Sequence, residues 1–241
     1  MSDWMLPDSE TYLEWELPMV EIFETVEGEG MAAGFPTVFV RTFHCNLRCR
    51  WCDTPYSFAP AKPVFTATLR QIRERVGSYA SRRICLTGGE PLLHREKSLA
   101  LLETLASLPD VDDVHIETNG AVDLAPFDRW RRESVTGKKV RFILDWKLPD
   151  SGESDRMLPD NLSLLKERDE LKFVLANRDD FRHAVEFLSR SPHRGQTLFS
   201  PVFGELEPRH LVEWVLAEPL PQVKVSLQLH KTIWDPAQRG V

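Results

Sequence analysis

An α/β fold of mainly parallel β-α units is predicted by three features of the chain. Short β-branched runs alternate with stretches of helical period, the strand-like runs end in polar clusters, and three cysteines crowd into the loop after the first such run. Taken in order, residues 1–18 show no clear period. Pro7 and Pro18 bracket an acidic arm containing tryptophan, which reads as an N-terminal extension to a single domain over residues 19–241. Strands are expected at 37–40, 83–86, 114–116, 140–144, 171–174, 197–199 and 223–227, where β-branched and aromatic residues are enriched. Between them Leu69, Ile72 and Val76 share a helical face, as do Leu101, Leu102 and Leu105, then Phe181, Val185 and Leu188, then Leu211, Val215 and Leu216. Helices that follow strands repeatedly build right-handed crossovers and a mainly parallel sheet, whose functional rim lies at the strand C-terminal ends. Arg41, Thr87-Gly88-Gly89-Glu90, Glu117-Thr118-Asn119-Gly120, Asp145-Trp146-Lys147, Ser200-Pro201 and Gln228-Leu229-His230-Lys231 all fall there. Such convergence suits a polar small molecule, although turn formation alone accounts for part of it. The periodicity does not say whether the sheet closes.

At 241 residues, 42% hydrophobic and 28% charged, the chain is long enough to bury a core and too apolar for a disordered polymer. No apolar run approaches the roughly 20 residues of a membrane helix. The N-terminus is acidic and lacks a basic-plus-apolar leader, so a cytoplasmic protein without a membrane partner is expected. The net charge of −7, with basic residues scattered among acids, disfavours a nucleic-acid partner. Cysteine usage favours a reducing compartment, and Cys85, alone in an apolar run, reads as a small buried thiol.

Cys45, Cys49 and Cys52 lie too close together for disulfides and at a spacing suited to metal ligation. A closed zinc site takes four ligands, usually from two separated pairs, and no second pair is present. Three thiolates on an iron-sulfur cubane leave one iron free to chelate a small molecule. His44 adjoins Cys45 directly, so joint ligation of one metal by the two would be strained.

The pattern Cys45-x3-Cys49-x2-Cys52, with Trp51 before the last cysteine, resembles the signature of the radical S-adenosylmethionine (SAM) superfamily. The resemblance implies a partial, open TIM-like barrel and a [4Fe-4S] cluster whose open iron binds the amino and carboxylate groups of SAM. One electron, from a donor such as flavodoxin or ferredoxin, would release a 5′-deoxyadenosyl radical, and the protein would orient the cofactor and exclude water. Thr87-Gly88-Gly89-Glu90-Pro91 is similar to the superfamily's glycine-glycine-glutamate motif, which meets the methionine ammonium of SAM.

A narrower resemblance begins at Glu21-Ile22-Phe23-Glu24-Thr25-Val26-Glu27-Gly28-Glu29-Gly30 and continues through Gly34-x-Pro36, Val40-Arg41 and Cys52-Asp53-Thr54. Further matches are Glu117-Thr118-Asn119-Gly120, Asp145-x-Lys147-x-Pro149, Glu170-Leu171-Lys172-Phe173-Val174, Gln228-x-His230-Lys231 and Arg239-Gly240-Val241. Together these resemble the 7-carboxy-7-deazaguanine synthase family from about residue 19 to the end. The resemblance implies a carbon-nitrogen lyase that contracts 6-carboxy-5,6,7,8-tetrahydropterin to 7-carboxy-7-deazaguanine with loss of ammonia, for queuosine and other 7-deazapurines. It further implies Mg2+ at Thr54, a homodimer, and substrate contacts from Val26, Glu27, Gly28, Glu29, Arg41, Thr87, Gln228 and His230. Trp51, Asp53, Gly88, Gly89, Glu90, Glu117, Asp145, Trp146, Lys147 and the stretch from Ser200 to Phe203 would contact SAM, with Glu117 approaching the ribose.

The side-chain chemistry fits these roles. Arg41 offers a fork of donors to a carboxylate, or else belongs to a surface ion pair. Glu29 can accept from the guanidine-like edge of a pterin. Gly28 allows close backbone approach. His230 closes the pocket or is a satisfied buried histidine; Thr54 supplies one oxygen to a hard cation or only turns the chain before Pro55. Asp145 and Trp146 stand where the family usually has serine-proline, and Glu27 where it commonly has glutamine. An ionised Glu27 can only accept, and two acids in one pocket would raise one another's pKa or favour a substrate rich in N–H donors. Two rival readings stay open: a superfamily activase that makes a glycyl radical on a protein partner and turns over no free pterin, and a non-catalytic zinc or iron-sulfur module that does not cleave SAM.

Overall fold

The computed structural model describes residues 4–241, so the first three residues of the segment read as an extension lie outside it. Nine strands form its frame: β1 (Glu16–Val26), β2 (Pro36–Thr42), β3 (Phe65–Thr68), β4 (Arg83–Gly88), β5 (Asp113–Thr118), β6 (Val140–Asp145), β7 (Glu170–Leu175), β8 (Gln196–Pro201) and β9 (Val223–Val225). Their order in one sheet is β3-β1-β2-β4-β5-β6-β7-β8-β9. Every pair from β2–β4 to β8–β9 is parallel, and β1 pairs antiparallel with both β2 and β3. The result is the open, mainly parallel barrel expected from the sequence.

The seven expected strands are all present, and β1 and β3 add two. Alternation in β1 is broken by Pro18 and by Met19-Val20, where a bulge shifts the register against β2. The strand begins at Glu16, so the boundary drawn at residue 18 falls inside it, and Leu13 and Leu17 belong to the main hydrophobic cluster. That cluster draws its members from Leu13 to Leu211.

Helices α1 (Ser9–Tyr12), α2 (Leu69–Gly77), α3 (Glu96–Ala106), α4 (Ala125–Glu133), α5 (Arg178–Arg190), α6 (Pro208–Ala217) and α7 (His230–Ile233) complete the fold. Local chemistry starts several of them. Thr68 and Gln71 form a reciprocal capping box on α2, and the Asn177 side chain accepts from the N–H groups of Asp179 and Asp180 to start α5. Leu211 anchors α6 in the core, but Leu216, expected on the same face, is 79% exposed.

Period two divides the strands into two faces. Val38, Val40, Ile84, Leu86, Val114, Ile116, Phe142, Leu144, Leu171 and Phe173 enter the cluster shared with the helices. The alternate positions Phe23, Phe39, Arg41, Glu117, Ile143, Asp145, Lys172 and Val174 face a cavity inside the barrel.

Candidate active site

The cavity has a volume of about 520 Å³ and opens at the C-terminal ends of the strands, large enough for a cofactor and a bicyclic substrate together. Cys45, Cys49 and Cys52 line one wall. Their loop is held from three sides. The His44 N–H donates to the Ser57 carbonyl at 2.8 Å and the Arg50 N–H to the Ser151 carbonyl at 3.0 Å. The Arg50 side chain reaches Asp150 at 2.5 Å and Glu205 at 2.7 Å. The Glu90 N–H donates to the His44 carbonyl at 2.7 Å, which docks the cysteine loop on the glycine motif. At Gly89 a Cβ would lie 2.8 Å from that of Cys45, so only glycine fits there.

These residues fit a cluster. Leu47 N–H approaches Cys45 Sγ at 3.4 Å and Asn119 Nδ2 at 3.7 Å, donors suited to a sulfur ligand. Burial pushes Cys49 up to about 11, with Lys147 nearby opposing and Asp145 adding to the rise. A metal bound at this half-buried thiol would favour the thiolate over the raised thiol. Beside Cys49, Lys147 Nζ pairs with Asp145 Oδ2 at 2.8 Å, and Asp145 Oδ1 is buried with no hydrogen-bond partner among the described residues. That orphan acceptor belongs to a residue lining the cavity, where a donor of a polar guest would satisfy it.

Trp51, Asp53, Thr54, Gly88, Gly89, Glu117, Asp145 and Lys147 all line the cavity near the thiols, and Thr54 Oγ1 lies 3.7 Å from Cys52 Sγ. Glu90, Trp146 and Ser200 do not line it. Glu90 is wholly buried beneath the motif, accepting from Leu92 N–H, Thr118 Oγ1 and Asn119 N–H, and burial raises it to about 7. Trp146 turns into the core against Phe187, with ring centroids 4.5 Å apart. Ser200 donates to the Ser226 carbonyl at 2.7 Å, while Val202 and Phe203, farther along the same stretch, do reach the cavity.

Val26, Glu27, Gly28, Glu29, Arg41, Thr87, Gln228 and His230 also line the cavity. Arg41 is both pocket residue and ion-pair member: its Nε donates to Glu21 at 2.8 Å. Glu29 is clamped between Gln228 Nε2 at 2.7 Å and Lys172 Nζ at 2.5 Å. Gly28 accommodates His230, whose Nδ1 would be 2.5 Å from a Cβ at that position. The close approach that requires glycine is therefore to a side chain of the protein itself. Burial lowers the His230 imidazole below its ordinary value, with Glu29 opposing. Thr87 Oγ1 donates to Glu117 at 2.8 Å, and burial raises the Glu117 carboxyl, with Lys172 opposing. Glu27 is 3% exposed and its carboxylate turns down to His115 at 2.7 Å. It therefore does not crowd Glu29 as a second free acid.

Sequence reasoning missed Lys172, Glu21, Tyr56, His115 and the terminal residues 236–241, most of which line the cavity. Lys172 had a readable signal, a lone cation at alternating register with Val174 in an apolar strand. The terminal segment had only the family match at Arg239-Gly240-Val241, which carried no role, and the Arg239 guanidinium finds its place over Tyr56, 3.7 Å from the ring centre, in the folded chain.

Comparisons with known proteins agree with this geometry. Residues 39–136 match the model of the Radical SAM superfamily. A 7-carboxy-7-deazaguanine synthase of Leptospira interrogans serogroup Icterohaemorrhagiae serovar Lai is 37% identical over 240 residues, covering 92% of this chain and 96% of its own. One of Chlorobaculum tepidum is 38% identical (95% and 99% covered), and one of Clostridium acetobutylicum 33% (92% and 98%). In fold, the chain is similar to the crystal structure of QueE from Escherichia coli, with a TM-score of 0.72 at 21% identity, covering 93% of this chain and 99% of that one.

Proposed function

Because the chain belongs to the 7-carboxy-7-deazaguanine synthase family, within the radical SAM superfamily, we propose that it converts 6-carboxy-5,6,7,8-tetrahydropterin to 7-carboxy-7-deazaguanine with release of ammonia, a carbon-nitrogen lyase step toward queuosine and related 7-deazapurines. One observation carries this reading: the three thiols and a set of groups complementary to a carboxylated pterin line the same cavity.

Cys45, Cys49 and Cys52 hold the [4Fe-4S] cluster. The cluster with SAM bound would supply hydrogen-abstraction chemistry at a carbon centre. Trp51, Asp53, Gly88, Gly89, Asp145 and Lys147 hold SAM beside the cluster, and Glu117 accepts from its ribose. Glu90, Trp146 and Ser200 act from behind, keeping the motif, the 145–147 strand end and the 200–203 stretch in place.

Arg41 keeps its outer guanidinium nitrogens for the substrate carboxylate, while Glu21 fixes its orientation. Glu29 receives the N–H groups of the pterin's guanidine-like edge, sharing its charge with Lys172 and Gln228. An analogue without those N–H groups would leave this carboxylate poorly matched, which is a strong basis for rejection. Phe23, Phe39, Ile143 and Val174 give the flat ring apolar walls and exclude water from the reacting carbon. Thr54 is the protein ligand for Mg2+, a hard ion content with one hydroxyl and substrate oxygens.

The family resemblance supports a single catalytic unit, which takes in all of β1 from Glu16, a homodimer, and flavodoxin or ferredoxin as electron donor. Among the described residues no helix is long and apolar enough to cross a membrane, and an oxygen-sensitive cluster suits the reducing cytoplasm. Anaerobic reconstitution followed by SAM, dithionite, Mg2+ and the carboxytetrahydropterin tests the reading. Formation of 7-carboxy-7-deazaguanine is the expected result; cleavage of SAM to 5′-deoxyadenosine without that product would discard the substrate.

A further inference from the structure

Beneath the cavity, the inner face of the sheet is filled with charge where an apolar floor would be ordinary. Cys85, His115 and Arg141 stand side by side in register on β4, β5 and β6, all buried. His115 Nδ1 lies 3.0 Å from Asp113 and Nε2 2.7 Å from Glu27. With a carboxylate on each side, both ring nitrogens are donors. The other oxygen of Glu27 accepts the N–H groups of Gly28 at 2.9 Å and Glu29 at 3.3 Å. Arg141 joins Asp113 at 2.9 Å to Glu170, which in turn accepts the Met31 N–H at 3.1 Å. Both ends of the 27–31 loop therefore rest on one buried ion network, and the cavity-lining Gly28 and Glu29 lie between them.

We propose that His115 is a positioning residue for substrate selection: by pinning Glu27 under the loop, it fixes Gly28 and Glu29, and with them the Glu29–Lys172–Gln228 group that meets the nitrogen-rich edge of the pterin. The proposal deepens the pterin reading and rests on it. It also explains why a glutamate serves at position 27. A carboxylate accepts from the loop and from a charged imidazole at once, whereas an amide oxygen serves one of them and turns N–H groups toward the other. The groups facing the ring are Asp113 on its own strand, Glu27 from the end of β1, Cys85 from β4 and Arg141 from β6. Burial and Arg141 disfavour the charged ring, but Asp113 and Glu27 outweigh them and raise it to about 9. Glu27, Cys85 and His115 present metal-type ligand atoms within 4.8 Å of one another, but Nε2 is already committed to Glu27.

Two measurements test this. In the oxidised, reconstituted protein, nitrogen NMR of labelled histidine is expected to show His115 doubly protonated at pH 7.5, with ring signals that shift on adding the pterin and not on adding SAM alone. Glu27→Gln is expected to convert the ring to the neutral form protonated on Nδ1. Kinetically, His115→Gln should raise the pterin KM about tenfold or more with the SAM KM and kcat held, the pattern of lost substrate positioning. The double variant Glu27→Gln/His115→Gln, an amide pair, should recover most of that loss. A neutral ring in the wild type, pterin and SAM constants that move together, or a double variant no better than the single one would each overturn the proposal. The NMR comparison stands even if His115→Gln fails to fold. If the wild type shows the charged ring but binds no pterin, the reading of the site falls and this inference falls with it.

Discussion

At the scale of single residues, the site depends on close approaches and buried charges more than on exposed ones. Gly89→Ala would force its Cβ against the His44 backbone and the Cys45 side chain, so the cluster loop must move. We expect this variant to bind less iron on anaerobic reconstitution while keeping its secondary structure, measured by iron analysis and circular dichroism. His115 makes a pH prediction. Its folded pKa, about 9, is above the ordinary value of 6.5, so the stability it contributes is complete below 6.5 and is lost as pH rises through 9. The loss amounts to roughly 3 kcal/mol. Denaturant midpoints should fall across that window in the wild type and much less in Glu27→Gln. The thiols were legible as metal ligands from residue type and spacing, whereas the roles expected of Arg41 and Glu29 came through the family resemblance. The sequence could not show that Glu27 turns downward, because His115 is 88 residues away and meets it only across the sheet.

At the scale of elements, the strands with β-branched runs were readable and two others were not. β1 hides its period behind Pro18 and a bulge, and β3 is four residues of edge strand. α4 is strongly charged and shows its apolar side through little more than Phe127, which is too weak a pattern to read. The arm before residue 19 illustrates the same limit, since Leu17 is buried where β1 pairs with β3 and Leu13 where its carbonyl accepts from Arg70 of α2, and neither burial follows from local period. Leu17→Ala should therefore cost about 2–5 kcal/mol, as for other fully buried leucines. Leu216→Ala, on the exposed side of α6, should stay within about 0.5 kcal/mol. Equilibrium denaturation of the two variants separates these outcomes.

At the scale of the whole molecule, parallel β-α units bring polar strand ends from distant parts of the sequence to one rim, and period two aims alternate residues inward. This much was legible, and it located the cavity. The terminal segment was matched to the family at Arg239-Gly240-Val241 but given no role there, although residues 236 and 238–241 close the pocket beside Tyr56 and Glu21. Removing residues 239–241 is expected to raise the pterin KM severalfold while SAM binding holds, checked by comparing the two constants. The proposed function puts both guests in one cavity, and the most direct measurement is anaerobic binding of 6-carboxytetrahydropterin to the reconstituted, SAM-loaded protein, wild type against Arg41→Met. Saturable binding weakened about tenfold or more by the substitution, equivalent to at least about 1.4 kcal/mol, with SAM affinity unchanged, is the expected result. Equal pterin binding by the two proteins, or none by the wild type, would contradict it.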